Sequence, residues 1–355
     1  MNTHPKSEGF DVLTEVYSVV DGHSIPTDIF IPKSLPEGHH CPVIVRIHGG
    51  FLFIGNRGPG WFPSHLLQFA LSKHAVIISP DYRLLPEATG EDILTDICVS
   101  LWNWMLNTFP RIVADAHPGI TPDLTRILTI GESAGGYLAT QLALAHPSHS
   151  PSTNVPGITA VCGSYPVYDL LSPFFLSGAF SSISESYSFF GNSPPFSVFT
   201  DHVAAIKARQ KPSIVTDGTI PEPGTYNERE QMMVAAVLHG KLPELLGLEN
   251  DEFFPIERIE RSGTVRDDGS VGMSVVLPRR IWVYHGSKDH VVPVEGSRRF
   301  VQVVQEKLSG SGTEVRYYEH EGGDHGFDAA TNFASDEDRW VREGYAWLEV
   351  AWLGS

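Results

Sequence analysis

Cysteine is scarce in this sequence, and the three that occur, Cys41, Cys98 and Cys162, lie far apart. Their number is odd and no C-x-x-C pair is present, so the sequence indicates neither a disulfide framework nor a zinc site. Separate, unpaired cysteines favour a reducing compartment. We therefore expect no bound metal and no structural disulfide.

Long apolar runs and clusters of basic residues are also missing. No stretch reaches the ~18–20 apolar residues that a membrane span needs, and the first residues, MNTHPKSEGFDVLTEV, lack the apolar core of a signal peptide. The formal net charge of −17 disfavours a nucleic-acid backbone or an anionic membrane surface as partner. We expect a cytoplasmic protein with no nucleic-acid partner and no membrane span, and the sequence leaves a homodimer open.

The sequence does contain a regular alternation of short strand-like runs with helical ones. Strands are predicted at residues 15–20, 27–31, 43–47, 75–79, 127–130, 158–162, 280–284 and 314–318. The first two indicate an antiparallel pair, and 43–47 is typical of a strand buried on both faces. Helices are predicted at residues 62–73, 91–107, 137–145, 294–307 and 336–352. This alternation predicts an α/β fold with a mostly parallel central sheet flanked by helices.

The alternation stops between residues 170 and 278. This region holds a helical stretch at 228–238, a polar stretch at 261–273, and seven of the 19 phenylalanines, all within 174–199. An unstructured loop of that length would be unusual, so we interpret residues 171–277 as a helical cap inserted into the fold. Residues 41–170 and 278–355 then form the two parts of the core. Residues 1–40 contribute to the cap and to the first strands.

The candidate site lies where the predicted strands end, because ligands of open α/β sheets bind beyond the carboxyl ends of the strands. The segments that follow strands are HGGF at 48–51, DYRLLPE at 81–87, GESAG at 131–135, HGSKD at 285–289 and HEGGDHGF at 320–327. Glycines, histidines and carboxylates are concentrated in these segments. They therefore supply the groups that a catalytic site would need.

Ser133 lies between glycines, after a predicted strand and before a predicted helix. The pattern G-x-S-x-G alone arises by chance roughly 0.3 times in a chain of this composition, so the pattern depends on its context. Gly131 and Gly135 leave room for a sharp turn, and the helix N-terminus favours developing negative charge beside the serine. We interpret Ser133 as a nucleophile; a serine that only caps the helix is the alternative.

Serine needs a general base near neutral pH, and a carboxylate must hold that base in place. His325 lies in a glycine-rich loop and is the candidate base, with Asp289 as its carboxylate partner. The chain order Ser133, Asp289, His325 is typical of this architecture. Other residues of suitable chemistry lie nearby in the sequence: His285, His320, Asp324 and Asp328.

HGGF at 48–51 predicts an oxyanion hole, because backbone N–H groups can approach an oxyanion only where side chains do not obstruct them. A plain tight turn is the alternative for this segment.

Together, HGG at 48–50, DYRLLPE at 81–87, GESAGG at 131–136, GSKD at 286–289 and HGF at 325–327 resemble the hormone-sensitive-lipase-like branch of the α/β-hydrolase superfamily. The resemblance covers residues 40–170 and 280–350. It implies a serine esterase or lipase that acts on carboxylic esters without a cofactor. It also implies a catalytic triad of Ser133, Asp289 and His325. Oxyanion donors are implied at the N–H groups of Gly50, Phe51 and Ala134, with Gly49 in the same loop.

Two positions depart from that family. Phe51 stands where the family usually has a third glycine, and Tyr137 stands where asparagine is common. We expect both changes to alter the shape of the pocket. The region 171–277 shares little with the family, so the substrate is the least determined feature.

The phenylalanines of the predicted cap favour an apolar or aromatic acyl substrate, although they could equally form the core of the cap. The same triad could instead serve a thioesterase, an acyltransferase, a lactone-forming cyclase or, less readily, a serine peptidase. A non-catalytic ligand-binding receptor is a further alternative, but it would not need a working base.

Overall fold

One sheet of eight strands runs through the residues that the computed structural model describes, which are 5–148, 155–177, 194–209, 213–219, 227–263 and 274–354. The strands in chain order are β1 (Phe10–Val20), β2 (His23–Pro32), β3 (His40–Ile47), β4 (Val76–Pro80), β5 (Thr121–Glu132), β6 (Ile158–Ser164), β7 (Arg280–Gly286) and β8 (Glu314–His320). Their spatial order is β1-β2-β4-β3-β5-β6-β7-β8.

Only the N-terminal part of the sheet is antiparallel. β2 pairs antiparallel with β1 and with β4, whereas each neighbouring pair from β4 through β8 is parallel. Parallel strands place their carboxyl ends at one edge, so the segments after β3, β5, β7 and β8 converge there. The predicted mostly parallel α/β sheet is confirmed.

Helices connect the strands on both faces of the sheet. They are α1 (Ser64–Ser72), α2 (Gly90–Leu94), α3 (Trp102–Asn107), α4 (Phe109–Ala116), α5 (Ala134–Ala145), α6 (Pro173–Leu176), α7 (Ser197–Lys207), α8 (Glu228–Leu238), α9 (Leu242–Leu246), α10 (Pro255–Glu260), α11 (Val294–Lys307) and α12 (Arg339–Trp352). The helix predicted at 91–107 is formed by α2, a π-helical segment (Thr95–Leu101) and α3 in succession.

Each face of the sheet has its own apolar core. α1 and α12 cover one face, where the rings of Phe69 and Tyr345 stack at 4.0 Å between centroids. α5, α11 and the helices at 90–107 cover the other face, where Tyr168 stacks on Phe300 at 4.0 Å. Because both faces are buried, the central strands need apolar residues on both sides, which is the pattern seen at residues 43–47.

The described part of residues 171–277 contains the helices α6 to α10. Phe175 and Phe199 are buried there, and Phe174 packs edge-on against Phe175 at 4.9 Å between ring centroids. Three of the seven phenylalanines, at 180, 189 and 190, and most of the polar stretch 261–273 lie outside the described residues. The described phenylalanines therefore pack among these helices. The assignment of residues 171–277 as a cap stays a prediction.

Arg229, near the start of α8, ties this region to the sheet. Its Nη1 and Nη2 contact the two carboxylate oxygens of Glu87 at 3.0 and 2.8 Å, and its Nε donates to the carbonyl of Phe53 at 2.6 Å. The Glu87 side chain is only 3% exposed, and His202 contacts the same carboxylate at 2.9 Å. One guanidinium thus holds α8, the segment after β4 and the segment after β3 together.

Arg229→Ala is expected to lower the free energy of unfolding by about 3 kcal/mol, because it removes the guanidinium that pairs with the buried Glu87 carboxylate. Urea denaturation at neutral pH measures the change. Arg258→Ala is the matched control, since the hydrogen bond of the Arg258 side chain on α10 to a described residue is the one to Gln141, at 3.2 Å. Equal losses for the two variants would contradict the account.

Candidate active site

Ser133 occupies a sharp turn between β5 and α5. Its φ of 54° and ψ of −122° lie in a left-handed region that residues with side chains rarely adopt. A Cβ atom at Gly131 would collide with the carbonyl of Gly135, and one at Gly135 would collide with the carbonyl of Ile47. The Ser133 N–H donates to Ser164 O at 2.8 Å, which fixes the turn to β6. The two flanking glycines are therefore steric requirements of this turn.

His325 and Asp289 form a hydrogen-bonded pair on neighbouring loops. His325 Nδ1 lies 2.7 Å from Asp289 Oδ2, and Asp289 Oδ1 accepts the N–H groups of Val291 and Val292 at 2.9 and 2.8 Å. Burial opposes the negative charge on Asp289, but His325 and His285 outweigh burial and hold the pKa of the carboxyl well below its usual range. With Nδ1 bound to Asp289, Nε2 is the His325 nitrogen left to face a substrate.

His285, a candidate base in the sequence, instead contacts the same aspartate from its buried side. Its Nε2 lies 3.1 Å from Asp289 Oδ2 and 3.0 Å from Val292 O, and its Nδ1 lies 2.8 Å from Ser297 Oγ. Two acceptors around Nε2 require that this nitrogen carry a proton. His285 therefore acts as a donor that positions Asp289, a contact that the sequence suggested only through the four-residue spacing in HGSKD.

The other competing residues have partners of their own. His320 stacks on Phe327 at 4.6 Å between ring centroids. Asp324 accepts the N–H of His325 at 2.7 Å, and Asp328 is fully buried. Of the carboxylates near His325, the one that contacts its Nδ1 is Asp289.

Ser133 and His325 line one cavity of about 400 Å³, together with Gly49, Gly50 and Phe51. Within the described residues, no hydrogen bond joins Ser133 Oγ to His325. Catalytic hydrogen bonds are often long without substrate and tighten when it binds. The structure thus brings the sequence-predicted nucleophile, base and oxyanion loop to a single cavity.

The predicted oxyanion loop after β3 adopts left-handed backbone conformations at three successive residues. The φ angles are 103° at Gly50, 51° at Phe51 and 68° at Leu52. In the described part of the chain, the N–H groups of Gly50, Phe51 and Ala134 donate to no acceptor, so they are available to a ligand. The left-handed φ at Phe51 is a conformation that glycine adopts at lower cost, and the Phe51 ring packs edge-on against Phe175 at 6.3 Å.

His48, at the start of this loop, holds it in place through contacts with Gly49 and Tyr82. The ring stacks on Tyr82 at 4.3 Å, Nδ1 donates to Gly49 O at 2.8 Å, and the Tyr82 hydroxyl donates to His48 O at 2.9 Å. Burial lowers the pKa of His48 to about 3, so its imidazole is neutral in the folded protein at ordinary pH. The DYRLLPE segment therefore supports the loop through Tyr82.

Stability should consequently fall as the pH drops below the ordinary histidine pKa of about 6.5, because the unfolded chain then protonates His48 and the folded chain does not. Between pH 7 and pH 5, we expect His48 to contribute a loss of up to about 2 kcal/mol in the free energy of unfolding. Urea titrations at both pH values measure this loss. In His48→Gln the loss should be smaller by that amount, and an unchanged loss would disprove the assignment.

Tyr137, which was expected to alter the shape of the pocket, does not line the cavity. It is 1% exposed and belongs to the apolar core beneath α5, and it is not among the cavity-lining residues. The expectation that Tyr137 alters the pocket shape was wrong, because the first turn of α5 directs the residue into the core.

Other kinds of site find no support in the described residues. There, no group of three or more His, Cys, Asp or Glu side chains is placed to hold a metal ion. The helices of the same residues include none that is long and apolar enough to cross a membrane.

Comparison with known proteins identifies a matching family model and similar chains. Residues 44–188 match a family model described as alpha/beta hydrolase fold. The chain is 28% identical over 339 residues to the probable carboxylesterase M8 of a Phoma species, covering 95% of this chain and 94% of that one. It is 26% identical over 357 residues to the non-reducing polyketide synthase ascC of Acremonium egyptiacum, covering 97% of this chain and 16% of the synthase.

Among solved structures, the fold is similar to that of a thermostable esterase from Pseudomonas putida. The TM-score is 0.58 at 16% identity, covering 97% of this chain and 84% of that one. The α/β-hydrolase fold expected from the sequence is thereby confirmed, and the relatives that the chain resembles include a probable carboxylesterase.

Proposed function

We propose that this protein hydrolyses carboxylic esters through an acyl-enzyme on Ser133. The observation that carries the proposal is that Ser133, on its left-handed turn, faces the same cavity as His325, whose Nδ1 lies 2.7 Å from Asp289 Oδ2. A nucleophile, a base and an orienting carboxylate are the parts that ester cleavage by serine requires.

In the first step Ser133 Oγ attacks the acyl carbon while His325 Nε2 takes the hydroxyl proton. Asp289 keeps the imidazole oriented and stabilises its positive charge. The N–H groups of Gly50, Phe51 and Ala134 bind the oxyanion of the tetrahedral intermediate. His325 then returns the proton to the leaving alcohol.

In the second step water replaces the alcohol. His325 takes a proton from the water, whose oxygen attacks the acyl carbon of the Ser133 ester. The bond to Ser133 Oγ breaks, and His325 protonates Oγ, so the products are a carboxylic acid and the free enzyme. The chain's own residues supply each group in both steps.

The size and the apolar lining of the cavity favour a substrate with an apolar or aromatic acyl group. Its volume of about 400 Å³ is in the range typical of small-molecule sites. Much of its wall is apolar side chain: Phe51, Ile54, Trp61, Phe62, Met233 and Val291.

A series of 4-nitrophenyl esters tests the reaction and the acyl preference together. Acetate, butyrate, octanoate, benzoate and phenylpropanoate would be compared by kcat/KM, with Ser133→Ala as the background. We expect turnover that depends on Ser133 and increases with apolar acyl size until the cavity is filled. Turnover that is equal in Ser133→Ala would contradict the proposal.

A thioester substrate is the second candidate, and the match to a polyketide synthase over 97% of this chain favours it. The same triad would then release or transfer an acyl group from a thiol. Parallel assays with an acyl thioester and the matching oxygen ester, with and without an added alcohol acceptor, separate the two. A higher kcat/KM for the thioester, or ester product from the added alcohol, would favour this candidate over simple hydrolysis.

A further inference from the structure

The cavity beside Ser133 is also lined by buried polar side chains that lack a hydrogen-bond partner within the described residues. Arg46 Nη1 and Asp328 Oδ1 are two such atoms, and both residues line the cavity. Arg46 is 1% exposed and Asp328 is fully buried. Buried polar groups are nearly always hydrogen-bonded, so unpaired ones facing one cavity indicate a polar occupant.

Arg46 is held rigidly by its other contacts. On β3, its Nε donates to Glu132 Oε1 at 3.2 Å, its Nη2 lies 2.9 Å from Glu132 Oε2, and its guanidinium stacks on Phe62 at 4.3 Å. Nη1 is the nitrogen that this arrangement leaves unpaired. Since Glu132 immediately precedes Ser133, the unpaired donor is fixed close to the nucleophile's turn.

Asp328 offers an acceptor from the opposite loop, three residues after His325. Its Oδ2 accepts the Tyr284 hydroxyl at 2.6 Å and contacts His65 Nε2 at 3.2 Å, whereas Oδ1 makes no hydrogen bond to any residue that the structure describes. Burial opposes its charge, but His65, Tyr284 and the nearby Tyr165 hydroxyl outweigh burial and hold the pKa of the carboxyl below its usual value. The group is therefore a charged acceptor.

The combination of an unpaired donor and an unpaired acceptor restricts the occupant. A carboxylate would be repelled by Asp328, and an ammonium group by Arg46. The Arg46 charge is already balanced by Glu132, so no net charge is needed. A hydroxyl group both accepts and donates, so it can pair with either atom without burying a further charge.

We propose that Arg46 and Asp328 form a subsite that binds a substrate hydroxyl, so that the preferred esters of this protein are hydroxylated. This inference rests on the proposed function and specifies its substrate class. The apolar wall then binds the carbon skeleton of the substrate, and the subsite selects among molecules of similar shape.

The test compares ester pairs that differ only by a methyl group on one oxygen. The 4-nitrophenyl esters of 2-, 3- and 4-hydroxyphenylpropanoic acid are each paired with the methoxy analogue. In the unmodified protein, at least one hydroxy ester should exceed its methoxy partner in kcat/KM by about tenfold or more. The ratio should fall towards one in Arg46→Lys and in Asp328→Asn. Because the ratio is taken within one variant, a general loss of activity cancels.

Arg280→Lys is the control. Arg280 is a partly buried arginine stacked on Trp347 at 4.9 Å, at the start of β7 and away from the cavity. Its substitution should leave the ratio unchanged. Two results would overturn the inference: hydroxy-to-methoxy ratios near one for every pair, or ratios that Arg46→Lys and Asp328→Asn do not change. Either result would mean that only water occupies this part of the cavity.

A binding measurement separates failure of the inference from failure of the proposed function. The amide analogues of the hydroxy and methoxy compounds are titrated into Ser133→Ala by calorimetry. Tighter binding of a hydroxy compound by about tenfold, lost on adding Asp328→Asn, supports the subsite even if no ester is hydrolysed. Equal binding of each pair overturns it even if the esters are hydrolysed.

Discussion

Replacing Ser133 with alanine is expected to lower kcat for 4-nitrophenyl butyrate by about 10⁴-fold or more. The hydroxyl is the only group at that turn that can form the acyl-enzyme, and its removal leaves only the oxyanion donors and binding to accelerate attack by water. Initial rates at saturating ester measure the effect.

Ser311→Ala is the matched control, because Ser311 lies on an exposed turn and its Oγ accepts a local N–H, that of Thr313, at 3.2 Å. Its kcat should equal that of the unmodified protein. A folded Ser133→Ala variant, verified by its urea midpoint, that turns over normally would show that the nucleophile lies elsewhere.

Replacing His325 with alanine is expected to cause a loss of similar size, again about 10⁴-fold or more in kcat. Without His325 the Asp289 carboxylate has lost the imidazole that it orients, and the other histidine that lines the cavity, His48, is a poor base because burial lowers its pKa to about 3. The same ester assay measures the loss.

His320→Ala discriminates between the two histidines of this loop. His320 stacks on Phe327 and does not line the cavity, so its removal should retain most of the activity and lower mainly the stability. The reverse pattern, with His320→Ala inactive and His325→Ala active, would move the base to residue 320.

Much of the architecture could be predicted because local patterns determined it. The run VIVRI lies within His40–Ile47, and the segments after successive strands converge because parallel strands share one carboxyl edge. Ser133, Asp289 and His325 follow three such strands, so their proximity required only topology. Gly131 and Gly135 were identified for a steric reason that the backbone geometry bears out.

Other features depend on contacts that no local pattern encodes. The approach of His285 to Asp289 depends on how the loop after β7 folds back on α11. Arg46 and Asp328, whose side chains each have an unpaired atom within the described residues, line the same cavity although they are far apart in the chain. Phe51 was expected to tolerate few conformations, but only the structure shows its left-handed φ and its packing on Phe175.

Covalent labelling with diethyl 4-nitrophenyl phosphate tests whether Ser133 is the activated nucleophile. Peptide mass spectrometry after partial digestion locates the diethylphosphoryl group, and the release of 4-nitrophenol gives its rate. The account predicts one group per chain on Ser133, no labelling of Ser133→Ala, and much slower labelling of His325→Ala. Labelling of another residue while Ser133 stays unmodified would contradict it.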